Sequence, residues 1–158
     1  MRRVTDPRAA VRRAFPERDV ASVSPIHRGN RKTTAVVEFE VDPPVVVQTG
    51  GDIDALRSEA AVTMAIDDAT SIPVPTVLAG GIAGDDAYVI TELVGGEDLH
   101  ERFLSLDPGR RREIARAFGQ YLGEVQAAVT FESFGDVEPS GEEWAGEEWP
   151  TEARISTL

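Results

Sequence analysis

The stretch IPVPTVLAGGIAGDDAYVITELVGGEDL, residues 72–99, contains the signals of a β-hairpin between a helix and a flexible link. Pro73 and Pro75 end a preceding helix, because the residue before a proline disfavours helical backbone. Two apolar runs follow, and the glycine- and aspartate-rich turn between them is typical of a hairpin. The glycine pair at 95–96 interrupts the chain after the second run. The stretch therefore predicts a helix end, two antiparallel strands and a hinge.

One helix and three strands are predicted before this hairpin. Residues 52–69 form the helix, because apolar side chains recur there at spacings of three and four. This stripe contains Ile53, Leu56, Ala60 and Met64. In the second strand, apolar residues alternate with glutamates, the two-residue period of a half-buried strand. The strands are predicted at 19–27, 34–41 and 45–49.

Further helices are predicted near the start of the chain and after the hairpin. Asp6 and Pro7 are typical of a helix N-terminus and open a short helix that ends near Pro16. A short helical segment follows Gly96, and a long helix covers residues 107–129. Its apolar stripe contains Ile114, Phe118, Tyr121, Leu122, Val125 and Val129. The N-terminal helix, a second copy of the chain or a partner must cover this stripe, and we expect a homodimer.

The charge of the chain excludes several classes of partner. Acidic residues outnumber basic ones by 28 to 16, so the net charge is −12, and Lys32 is the only lysine. Such a surface repels nucleic acids and anionic membranes. A lysine-poor acidic surface resembles that of proteins from salt-accumulating cytoplasms, so we expect a halophilic protein; acidic drift alone explains the missing lysine poorly. With no export signal and no apolar run of about 20 residues, the chain is expected to be soluble and cytoplasmic.

The last 29 residues, 130–158, differ in character from the rest of the chain. They carry eight acidic side chains and one arginine, and they include the tandem repeat GEEWAGEEW. Acidic, proline-interrupted stretches are most often solvated and poorly ordered. Trp144 and Trp149 leave an alternative open, because two exposed indoles could dock on a partner.

The order of these elements and five segments within them carry a family resemblance. The segments are SPIHRGNRKTTAVVEF, LRSEAAVTMAI, IPVPTVLAGG, AYVITELVGGEDL and YLGEVQAAVTFESFG. The chain resembles the N-terminal lobe of the aminoglycoside phosphotransferase and choline kinase-like family, a branch of the protein-kinase-like fold. The resemblance implies an α+β fold: an antiparallel five-stranded sheet with one helix, then a hinge and one long helix of a second lobe. The expected divisions are an N-terminal helix (1–18), a nucleotide-binding lobe (19–95), the hinge and first helices of a second lobe (96–131) and an acidic tail (132–158).

The resemblance implies an ATP site made of a loop and a hinge. The loop between the first two strands would lay backbone amides and positive charge over the phosphates, and its glycine would let the backbone approach closely. The expected loop residues are Arg28, Gly29, Asn30, Arg31 and Lys32. At the hinge, the Thr91 carbonyl would accept a hydrogen bond from adenine and the Leu93 N–H would donate one.

Gln48 departs from the family pattern, whereas Glu59 matches it, and the departure raises a question about charge. Gln48 ends the third strand, where the family has a basic residue that contacts phosphates and pairs with a helix glutamate, and Glu59 occupies the glutamate position. An amide can donate to Glu59 or to a phosphate but supplies no charge, and charge-assisted hydrogen bonds are about twice as strong as neutral ones. Either Arg31 or Lys32 replaces the missing charge, or nucleotide binding is weakened. In the alternative interpretation, Gln48 only satisfies a strand end and Glu59 is a solvated helix residue.

The groups that perform chemistry in this family have no recognisable counterpart in the sequence. No catalytic-loop aspartate and no Mg²⁺-binding aspartate can be assigned, so Mg²⁺ is expected only if a second lobe completes the site. Three interpretations remain: a truncated small-molecule kinase that is inactive alone, a non-enzymatic interaction protein, or one half of a split kinase completed by a separate catalytic-lobe chain.

Overall fold

An antiparallel sheet of five strands forms the centre of the molecule. The computed structural model describes residues 6–26, 32–131, 135–150 and 154–157. The strands of the sheet are β1 (Val20–Ile26), β2 (Thr33–Phe39), β3 (Val45–Gly50), β4 (Val77–Ala83) and β5 (Asp86–Glu92). Their order is β1-β2-β3-β5-β4, so the β4–β5 hairpin joins the sheet through β5. The predicted α+β class and five-stranded antiparallel sheet are confirmed.

Each α-helix in the described part of the chain begins directly after an aspartate. The helices are α1 (Pro7–Ala14), α2 (Ile53–Ala69), α3 (Leu99–Arg102) and α4 (Pro108–Ala128). The capping carboxylates belong to Asp6, Asp52, Asp98 and Asp107, and each accepts a backbone N–H of the first turn. A carboxylate at this position satisfies otherwise unpaired amides and complements the helix dipole. The backbone amides of Arg110 and Gly109 accordingly hold the pKa of Asp107 below its ordinary value.

Two helices cover opposite faces of the sheet. On one face, Ala10 and Val11 of α1 pack over a buried cluster that includes Val47 and Ile90, which are directly opposite each other in the sheet. On the other face, α2 packs against β4 and β5 of this sheet. Its buried cluster contains Leu56, Ala60, Ala61, Met64, Val77, Ala87 and Val89. The predicted stripe of α2 therefore faces the sheet.

The long helix α4 contributes no buried residue. Phe118 and Leu122, in the middle of its apolar stripe, are 59% and 60% exposed. The suggestion that the N-terminal helix covers this stripe was wrong, because α1 lies on the sheet. Glu124 connects α4 to the chain just beyond α2: its carboxylate accepts hydrogen bonds of 2.8 Å from the backbone N–H and the hydroxyl of Ser71. These bonds lower the pKa of Glu124.

The acidic segment after α4 folds back onto the sheet and α2. Trp144 and Trp149 are 2% and 5% exposed and belong to the same buried cluster as Leu56 and Val89. The segment also contains β6 (Val137–Ser140), which pairs with β7 (Arg154–Thr157) and packs on α2. For residues 135–150, the predicted solvated tail with exposed indoles was therefore wrong, and these indoles do not form a partner surface.

Backbone hydrogen bonds attach this segment to the free edge of β4. The amide of Ile82 donates to the Glu147 carbonyl at 2.8 Å, and the Trp149 amide donates to the Gly80 carbonyl at 2.9 Å. Gly80 permits this approach, since a Cβ there would lie 2.8 Å from Trp149 Cε3. An ion pair between Arg13 and Glu147 adds a contact to α1. The segment thus protects an edge that would otherwise expose unpaired backbone groups.

Candidate functional site

In the described part of the chain, no helix covers the β1–β3 half of the sheet face that carries α2. The register places Thr34 opposite Gln48 and Val36 opposite Val46, so these four side chains share the α2 face. Val46 is also opposite Thr91 of β5, which extends the same row. All five residues are half-buried. Because α2 packs on β4 and β5, the β1–β3 half of this face is an open surface with apolar and polar positions as far as the described residues go.

Lys32 lies at the end of this surface and forms an ion pair with Glu59. Its Nζ is 2.7 Å from each carboxylate oxygen of Glu59 and 3.3 Å from Gln48 Oε1. The side chains of Lys32 and Glu59 are 34% and 50% exposed. The alternative in which Glu59 is merely solvated was wrong, because Glu59 is paired. Gln48 accepts a hydrogen bond from Lys32 through Oε1, and donation by its amide to Glu59 or to a phosphate stays a prediction.

Local structure explains how three elements meet at this point. Lys32 directly precedes β2, and the two-residue period of a strand places it on the same face as Thr34 and therefore as Gln48. Glu59 precedes the buried Ala60 on α2, so it lies at the flank of the helix face that packs on the sheet. The sequence singled out Lys32 as the only lysine, but not its ion pair, because the register that places it two residues before the partner of Gln48 is known only from the structure.

The predicted hinge residues lie at the end of β5. Thr91 lines a cavity of about 220 Å³ between α2 and the sheet, together with Gln48 and Glu59. Leu93 comes directly after β5 and is 42% exposed. The chain here is fastened to the start of β4, since the Glu92 amide donates to the Thr76 carbonyl at 3.0 Å and the Glu92 carboxylate accepts from the Thr76 amide at 3.0 Å. The adenine-binding roles of Thr91 and Leu93 stay predictions.

Four of the predicted loop residues cannot be placed. Arg28, Gly29, Asn30 and Arg31 lie outside the described residues. Of the predicted phosphate-binding loop, only Lys32 has a described position.

A larger cleft of about 660 Å³ lies on the other side of α2, against β6. Its lining includes Asp52, Asp54, Glu59, Asp136 and Glu138. Lys32 pairs with Glu59 and Arg57 with Asp54, but the remaining carboxylates still repel a polyanion, so this cleft suits a nucleotide less well despite its size. In the described part of the chain, no group of three or more histidine, aspartate or glutamate side chains could hold a metal ion. None of the helices described is long and apolar enough to cross a membrane.

Comparison with known proteins decides the family. The model of the phosphotransferase enzyme family (APH) matches residues 6–156 of the 158. The chain belongs to this family. No curated protein matches it significantly.

Solved aminoglycoside phosphotransferases share the fold. APH(2")-IIia, in complex with GDP and kanamycin, is 18% identical, with a TM-score of 0.62 over 74% of this chain and 40% of its own. APH(4)-Ia is 16% identical, with a TM-score of 0.60 over 84% of this chain and 42% of its own. A thermostable mutant of APH(4)-Ia, in a ternary complex with AMP-PNP and hygromycin B, has a TM-score of 0.58 at 14% identity. The 158-residue chain thus spans about two fifths of the length of these solved structures. The predicted kinase-like N-terminal lobe is confirmed.

Proposed function

We propose that this chain supplies the nucleotide-binding lobe of an ATP-dependent small-molecule phosphotransferase. The observation that carries the proposal is the open half of the α2 face, with the Lys32–Glu59 ion pair at one end and Thr91 at the other. Nucleotide complexes of two structural neighbours, one with GDP and one with AMP-PNP, support it.

The arrangement of side chains on the open surface supports a purine nucleotide as its ligand. The row formed by Val36, Val46 and Thr91 offers apolar side chains for a base, and the row formed by Thr34 and Gln48 lies two residues along the strands. Two residues of strand span about 7 Å, so the Lys32 ammonium is displaced from the base-binding row toward the position of a phosphate chain. We assign the base to the Thr91 end and the phosphates to the Lys32 end.

The acceptor and the catalytic groups belong to a wider proposal. No catalytic aspartate can be assigned in the sequence, and the described residues contain no group of three or more histidine, aspartate or glutamate side chains that could hold a metal ion. We propose that a second lobe, on further sequence or on a separate chain, supplies these groups, and that the 158-residue chain alone binds nucleotide without transferring phosphate. Whether the acceptor is an aminoglycoside depends on that lobe.

The apolar face of α4 is the place where we propose that the second lobe docks. An open cleft of about 620 Å³ lies between α4 and the segment before it. Its lining is apolar except for His100: Leu99, His100, Phe103, Leu104, Ile114, Ala115 and Phe118. The solved neighbours extend well beyond the part that this chain matches, which favours a lobe as the occupant. Self-association through the same face, and an interaction role without catalysis, remain predictions from the sequence.

Nucleotide binding tests the proposal directly. Calorimetric titration of the purified chain with ATP and with GTP should show binding of at least one of them. Val46→Asp should weaken that binding tenfold or more, since a carboxylate on the proposed surface repels phosphate and removes apolar contact. Val41→Asp is the matched control, because Val41 is 92% exposed and lies outside the sheet. Absence of binding to either nucleotide at millimolar concentration would overturn the proposal.

A further inference from the structure

In this chain the positive charge of the nucleotide site has moved from the third strand to the second. We propose that Lys32, which directly precedes β2 and forms an ion pair with Glu59, is the phosphate-binding cation. In this proposal Gln48 accepts a hydrogen bond from Lys32 instead of supplying charge itself. This inference rests on the proposed function and specifies which residue performs the electrostatic part of it. It also answers the question of charge that Gln48 raised in the sequence.

The first step is that the side chains of Lys32, before β2, and Gln48, on β3, meet at one point. Thr34 is directly opposite Gln48, and Lys32 lies on the same face two residues earlier. The lysine side chain has four methylene groups, so it is long enough for its ammonium to reach the neighbouring strand. The 3.3 Å distance from Lys32 Nζ to Gln48 Oε1 shows that it does so. The ammonium therefore lies beside the side-chain end of Gln48, where a basic residue on β3 would place its charge.

The second step concerns how the ammonium is held. Both oxygens of Glu59 are 2.7 Å from Nζ, so α2 fixes the position of the charge through a charge-assisted contact. An ammonium has three N–H donors, and the contact to Gln48 is the longest of its three contacts. A phosphate oxygen would replace the Gln48 contact and leave the Glu59 pair intact. The half-exposed Lys32 side chain is open to such an approach.

The third step is the composition of the chain. Fifteen of its sixteen basic residues are arginine, yet a lysine occurs at this position. Both groups bind phosphate, the guanidinium through a bidentate fork and the compact ammonium as a point charge that can be approached from several directions. A chain with a net charge of −12 also needs a local cation to admit a polyanion.

Removing the lysine charge from position 32, and placing it at position 48 instead, gives the first test. Lys32→Gln should weaken ATP binding about 10- to 100-fold, the scale for losing a hydrogen bond to a charged group, and should change adenosine binding less than twofold. The double variant Lys32→Gln/Gln48→Lys should restore ATP affinity to within a few fold, because the lysine then reaches the same point from β3. Arg12→Gln is the control: it removes one positive charge from the exposed side of α1 and should leave ATP affinity unchanged. Circular dichroism of each variant verifies folding.

The single lysine permits a second test that needs no variant. An amine-reactive acetylating reagent modifies only Lys32 and the N-terminal amine, and mass spectrometry of the digested chain separates the two. Saturating ATP should slow acetylation of Lys32 severalfold, whereas adenosine should not. If the wild-type chain binds ATP while neither Lys32→Gln nor the acetylation rate shows an effect, the relocated lysine is wrong and the proposed function survives. If the wild-type chain binds no nucleotide, both are overturned.

Discussion

Replacing Trp149 with alanine is expected to destabilise the chain by about 3–5 kcal/mol, the usual cost of deleting a large buried aromatic side chain. Trp149 is 5% exposed, its ring centroid lies 5.9 Å from that of Trp144, and the guanidinium of Arg57 lies 5.7 Å from its ring. Its loss would leave a cavity between β4 and α2. Because typical domains are stable by about 5–15 kcal/mol, the variant should unfold at a much lower urea concentration.

Two variants make this prediction specific. The indole N–H of Trp149 is buried and has no hydrogen-bond partner among the described residues, so Trp149→Phe should retain most of the stability. Leu122→Ala should cost little, since Leu122 is 60% exposed on α4. Far-UV circular dichroism across a urea series measures all three. Equal midpoints for Trp149→Ala and Leu122→Ala would show that the acidic segment does not contribute to the core.

The folded state is also expected to require salt. Twelve negative charges in excess repel one another, and raising the ionic strength from 0.1 M to 1 M shortens the screening length from about 10 Å to about 3 Å. Surface ion pairs weaken under the same conditions, but each contributes little, with a median of about 0–1 kcal/mol. Molar KCl should therefore raise the thermal midpoint strongly, and circular dichroism at low ionic strength should show loss of structure.

A partly neutralised variant separates charge from the general effect of salt on apolar burial. Asp67→Asn, Asp68→Asn, Glu142→Gln and Glu143→Gln change exposed side chains and together reduce the net charge from −12 to −8, because four negative charges are removed. The thermal midpoint of this variant should depend less steeply on KCl than that of the wild type. A wild-type chain that is fully folded without salt would contradict the halophilic interpretation.

Local signals predicted the elements of the fold well because each element carries its own pattern. The helix cap at Asp6, the alternation in β2 and the turn between β4 and β5 act within a few residues, and all three occur as predicted. The packing of the acidic segment against the sheet was not predictable in this way. Burial of Trp149 depends on Gly80, which lies almost seventy residues earlier, and the surrounding carboxylates favoured a solvated segment.

The candidate site was predictable as a set of residues but not as a set of contacts. Gln48, Glu59 and Lys32 were all identified, but the ion pair between Lys32 and Glu59 was not. The register between β2 and β3 decides the outcome, because it places Thr34 opposite Gln48 and so brings Lys32 to both partners. Register depends on pairing between strands, which a single sequence does not display.

Localising the nucleotide on the sheet tests the central claim most directly. Backbone amide resonances of the ¹⁵N-labelled chain would be followed by nuclear magnetic resonance during titration with ATP in high salt. We expect the largest shifts at Lys32, Thr34, Val46 and Thr91, on the open half of the α2 face, with little change at Ala10 and Val11 on the opposite face. Shifts confined to the acidic cleft between α2 and β6, or no shifts at saturating nucleotide, would contradict a nucleotide-binding lobe at this surface.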